Sequence, residues 1–145
     1  MNWKKIAIER LQEYEPRKLS LETIPEQLKT LELTYTAIKG ATGDETGIRA
    51  TNGKKDDAWI ANILQREELK KSLQIAQSEC TITEKALEIL SDDEKHILDM
   101  FYIAKQRGHV ERLSEELCVE RSRVYELKDE ALQKFTLACC GVIGY

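Results

Sequence analysis

An all-α fold is predicted by three features of the 145-residue sequence. Apolar residues recur at three- and four-residue spacings along most of its length, the period of a helix with one buried face. Runs that alternate apolar and polar residues and are rich in β-branched side chains, as a sheet requires, are scarce. Charged residues make up 33% against only two prolines, which suits exposed helix faces, and an apolar content of 41% leaves enough for a core. The length predicts one domain, or a small domain with an extension.

A first helix is expected over residues 2–14. Ile6, Ile8 and Leu11, with Trp3 and Tyr14, share a broad apolar face, and Pro16 ends the helix because proline disfavours helical backbone in the residue before it. A second is expected over 20–38. Ser20, with Glu22 or Thr23, offers a cap, and Pro25 in a first turn offers an alternative start. Leu28, Leu31, Leu33, Tyr35 and Ile38 give it a face, and Gly40 closes it. Residues 1–39 thus form a helical hairpin or coiled-coil-like part. The stretch 40–56, GATGDETGIRATNGKKD, holds four of the seven glycines and few apolar side chains, so a flexible loop is expected. It lacks the G-x-x-x-x-G-K-[ST] spacing of a phosphate loop.

Residues 57–90 read as one long connecting helix, on the order of 50 Å at about 1.5 Å per residue. Its stripe is taken as Ile60, Ile63, Leu64, Glu67, Leu73, Ala76, Cys80, Leu87 and Leu90, to be buried against the first helices or another copy of the chain. Thr81, Ile82 and Thr83 weaken its middle, where a kink would fall. A helix over 91–104 follows. Ser91 caps it, Glu94 completes a capping box, Asp92 and Asp93 favour its positive end, and Ile97, Leu98, Phe101 and Tyr102 supply its buried face.

Residues 110–135, VERLSEELCVERSRVYELKDEALQKF, organise the rest. They read as helix, tight turn and helix. Leu113, Leu117, Val119, Val124 and Leu127 close a small core, and Ser114 is small where two crossing helices approach. Arg121, Ser122, Tyr125, Glu126 and Asp129 are left facing outward. The second helix is expected to run to about Cys140 and end at Gly141, ahead of an apolar tail, Val142-Ile143-Gly144-Tyr145, that folds back or self-associates.

Charge argues against a strongly basic nucleic-acid binder. The net charge is −4, and residues 91–145 carry eight Lys or Arg against eleven Asp or Glu. Within 121–134 the balance is +1: Arg121, Arg123, Lys128 and Lys134 against Glu126, Asp129 and Glu130. DNA affinity should therefore be modest and salt-dependent. Cys80, Cys118, Cys139 and Cys140 form no C-x-x-C pair, and with two histidines they suit no metal motif, so no metal or cofactor is expected. Reduced thiols, the absence of a signal peptide and the absence of an apolar run near 20 residues predict a cytoplasmic protein without a membrane span. His96 and His109 have no catalytic neighbours of a recognisable pattern, and no enzyme is expected.

With these residues in view, 90–135 resembles region 4 of the bacterial sigma-70 family, which recognises the −35 promoter element. LSDDEKHILDMFYI is similar to that domain's opening helix, and VERLSEELCVERSRVYELKDEALQKF to its helix-turn-helix, over about a third of the chain. The whole organisation also resembles phage and prophage regulators of the ArpU and RinA type, implicated in late gene transcription. The sequence departs from the sigma pattern at Cys118, where glycine is usual, at Tyr125 and Glu126, where arginine and glutamine are common, and at Ser122, where an acidic residue often stands. The −35 preference therefore does not carry over.

The resemblance implies a DNA-binding transcription regulator that places residues 121–129 in the major groove of double-stranded DNA. Arg121 and Arg123 foremost would read bases or phosphates, by guanine or phosphate contact, with Ser122 and Tyr125 beside them. Glu126 could accept from cytosine, and Lys128, Arg112 and Arg107 could meet phosphates. The N-terminal helices would dimerise the chain or contact RNA polymerase. A dimer would set two recognition helices roughly 34 Å apart. The other reading is a helical protein-interaction module, polymerase- or packaging-associated, that keeps the fold without direct DNA recognition. The expected divisions are 1–39, 40–56, 57–90 and 91–145.

Overall fold

A computed structural model describes residues 1–42 and 52–142. Their regular structure is helical: α1 (Trp3–Thr42), α2 (Asn52–Glu88), α3 (Asp92–Leu98), α4 (His109–Leu117) and α5 (Arg121–Cys140), with a π-helical turn at Asp99–Ile103. The fold is all-α, as the periodicity predicted. Most of the expected 40–56 loop, and the tail beyond Val142, lie outside the described residues. The edges of that loop are helical, and Gly40 continues α1 rather than closing it.

The helical break at Pro16 and the fresh start at Pro25 are overturned: α1 runs through both. Pro16 removes one amide donor and orphans the Gln12 carbonyl, a defect of about 3 kcal/mol in a helix interior. Both residues are exposed, so water reaches the orphaned carbonyl. The buried stripe also keeps one register along the helix. Ala7 and Leu11 are buried before the first proline, and Ile24 is buried before the second. A break would turn one of these groups away from its packing.

The chain forms two compact units, one of Met1–Arg17 with Ser78–Tyr145, the other of Lys18–Gln77. The divisions expected after residues 39 and 90 are not where the contacts separate, because α1 and α2 each contribute to both units. In Lys18–Gln77 the two helices run antiparallel. Asn62 Nδ2 donates to the Leu31 carbonyl at 2.9 Å, and Trp59 lies against Tyr35 with ring centroids 6.0 Å apart. Arg66 sits over the same Tyr35 ring at 4.8 Å.

The inward positions of α2 there are Trp59, Asn62, Arg66, Leu69, Leu73 and Ala76, spaced three and four residues apart. This corrects the first half of the expected stripe, since Ile60, Ile63 and Leu64 are exposed. On α1, Leu33 likewise faces out at 73% exposure. The segment of α2 carries two apolar stripes, and a pair of helices covers only one. Trp59 and the Arg66 stem bring more contact area against Tyr35 than the isoleucines would.

In the other unit the α2 helix continues unbroken past Thr81 to Thr83, with Thr83 buried and no interruption at the suspected kink. Two apolar clusters form its core. Ala7, Leu11, Ala86, Leu90, Leu98, Ala131, Leu132 and Phe135 make one. Ile97, Met100, Phe101, Val110, Leu113 and Val124 make the other, with Leu117, Val119 and Leu127 against it. Helix α5 serves both: its first half packs with α4, and its second half with the ends of α1 and α2. Arg10 ties these ends together, donating to Glu79 at 2.9 Å and to the Cys139 carbonyl at 3.2 Å.

Candidate nucleic-acid interface

Helix α3 is fixed first. The Ser91 hydroxyl accepts from the Glu94 amide, and the Glu94 carboxylate accepts from the Ser91 amide, each at 3.2 Å. Burial would raise the Glu94 carboxyl, but Lys134 at 3.0 Å and the two Ser91 hydrogen bonds outweigh it and hold the carboxyl below its ordinary range. The helix then widens into the π-helical turn, closed by the Ala104 amide donating to the Asp99 carbonyl at 2.7 Å. His96 Nε2, 2.6 Å from Glu116, links α3 to α4. His109 meets the Phe101 ring edge-on at 4.5 Å.

Residues 118–120 join α4 to α5. Cys118 adopts left-handed backbone, φ 54°, a conformation that favours glycine. The turn is held by the Ser114 hydroxyl, which donates to the Val119 carbonyl at 2.5 Å, so Ser114 contributes a hydrogen bond as well as small size. Glu120 is extended and makes no side-chain cap, so the first-turn amides of α5 are not capped by it.

Arg121, Ser122, Arg123, Tyr125 and Glu126 are exposed on the first turns of α5, and Arg107 and Arg112 are exposed nearby. The arginines are engaged within the chain. Arg121 donates to Glu111, Arg123 pairs with Glu126 at 2.9 Å and with Glu130 at 3.4 Å, and Arg112 donates to Gln106. Glu111 is held below its ordinary range by its own backbone amide and then by Arg121.

Tyr125 is half exposed, with its ring 6.0 Å from Phe101. Lys128 differs from the rest. Its side chain is mostly buried, its ammonium is 2.7 Å from Asp129, and it lies 5.7 Å above the Phe101 ring. Burial disfavours its charge, and Asp129 with Tyr102 more than offsets this, keeping it protonated. Sequence reasoning missed Glu111 as the partner of Arg121, because it stands on a different helix, and Glu130 as a partner of Arg123, because it lies two turns away on the same helix.

Among the described residues no group of three His, Cys, Asp or Glu side chains is placed to hold a metal ion, and no helix is long and apolar enough to cross a membrane. Comparison with known proteins gives no significant match to a family model, a curated protein or a solved structure.

Proposed function

We propose that the chain is a DNA-binding transcription regulator of the phage or prophage type, cytoplasmic, acting as a dimer on double-stranded DNA with RNA polymerase as a further partner. The observation that carries this reading is the outward first face of α5. Arg121, Ser122 and Tyr125 stand together on it, after a three-residue turn in which Cys118 is left-handed. Such a face presents donors for base edges and phosphates, and the α5 start offers amides to a phosphate. On this reading the exposed Arg107 and Arg112 meet flanking phosphates. Lys128, drawn into the ring cluster, supports the core of this unit instead of contacting DNA.

The pairing of Arg121 and Arg123 with carboxylates favours a second reading, in which the acidic surface of the same fold binds a basic protein. The two are separated by fluorescence anisotropy on mixed duplexes from the gene's own neighbourhood. For about four phosphate contacts, affinity should fall roughly 100-fold between about 50 and 200 mM salt. It should be lost in an Arg121→Ala/Arg123→Ala double variant. Absence of binding by the folded chain at low salt overturns direct DNA recognition.

A further inference from the structure

In the unit Lys18–Gln77, Leu64, Glu68, Lys71 and Ile75 follow one another at spacings of four, three and four, a heptad stripe on the face of α2 opposite its contacts with α1. All four are exposed, Leu64 and Ile75 at 58% each. Ile60, one helical turn before Leu64, is also exposed, at 56%. Glu68 and Lys71 form no ion pair among the described residues, although their neighbours Glu67 and Lys70 pair with each other at 3.3 Å.

The order along the stripe is apolar, acidic, basic, apolar. Reversed, it is its own complement. A two-fold axis midway between Glu68 and Lys71 sets Leu64 opposite the partner's Ile75, and Glu68 opposite the partner's Lys71, with both contacts repeated by symmetry. We infer that this outer face of α2 is the surface on which two copies of the chain associate, antiparallel and in that register. A foreign helix of uniform charge would place a like charge against Glu68 or Lys71, whereas a second copy satisfies both. The two apolar layers flank the ion pairs and shield them from water, which makes their signs decisive for register. The pairing also covers Leu64 and Ile75, which a single hairpin leaves in water.

This surface is independent of the DNA reading, because association is measured without DNA. Sedimentation equilibrium of the full chain at micromolar concentration should give twice 16.7 kDa. Ile75→Glu should give the monomer mass with unchanged helical circular dichroism. Glu68→Lys and Lys71→Glu should each weaken association about tenfold or more, since each sets like charges face to face twice across the axis. The double variant carrying both exchanges should restore it. A monomeric native chain overturns the inference. So does a dimer indifferent to the single charge reversals, or one that the double exchange fails to restore.

Discussion

The two units bury apolar side chains to different depths. In the unit of Met1–Arg17 and Ser78–Tyr145, Leu11, Leu98, Leu113, Val124 and Phe135 are closed off completely. In Lys18–Gln77 the inward leucines Leu28, Leu31, Leu69 and Leu73 stay half-buried, and one of the deepest side chains is polar, Asn62 at 5% exposure. The composition of the helices differs little. The number of neighbours differs: a side chain in the first unit is enclosed by three or more helices, while one in the second meets a single facing helix. A pair of cylinders touches along a line, so half of each side chain and all of any second stripe remain outside. Among the described residues, Trp59 Nε1, Asn62 Oδ1 and Arg66 Nε are buried in this seam without a hydrogen-bond partner.

The largest effect that tests this contrast is Phe135→Ala, which should cost about 3–5 kcal/mol, whereas Leu69→Ala in the two-helix seam should cost under about 2 kcal/mol. Urea melts followed by circular dichroism check both, and equal losses would break the comparison. Next comes the cap of α3. Ser91→Ala should cost about 1 kcal/mol at neutral pH. The Glu94 carboxyl is lower in the folded chain than in the unfolded one, so its contribution is present above the unfolded range and lost as pH falls through the folded range. Stability should therefore decline on acidification, and Glu94→Gln should flatten that decline in acid melts.

The smallest effect separates surface from interior within one unit. Cys118 is exposed, while burial first, and then the neighbouring Cys140, pushes the Cys139 thiol up to about 12. Iodoacetamide at mildly alkaline pH should modify Cys118 well before Cys139, and Cys118→Ala should remove the fast phase seen by mass spectrometry.

Local signals were legible where a few adjacent residues decide the outcome. The Ser91–Glu94 capping box forms, Gly141 ends α5 in left-handed backbone, and Leu113 and Val124 are buried as their spacing required. Features that depend on distant partners were not. Nothing near Pro16 announces a helix that passes through it. Ala7 is too small to stand out from Ile6 and Ile8, yet it is the one of the three that is fully buried. In α2 the choice between Trp59–Asn62–Arg66 and Ile60–Ile63–Leu64 hangs on Tyr35 and Leu31, some thirty residues earlier. Simple apolarity favoured the wrong set. At the candidate interface the outward positions could be read from the pattern, but the tie of Arg121 to Glu111 required the fold.

The π-helical turn at Asp99–Ile103 follows directly on Leu98, which belongs to one apolar cluster, and contains Phe101, which belongs to the other. A turn of this kind holds one residue more than the regular helix around it. Because the extra residue is taken up inside one revolution, deleting it would restore about 3.6 residues per turn without sending the chain beyond it in a new direction. What would be lost is the wide turn that seats Met100 and Phe101 with Val110, Leu113 and Val124. Residue count in these five positions therefore acts as a shim, setting how fully the core layer that Val124 of α5 closes is filled.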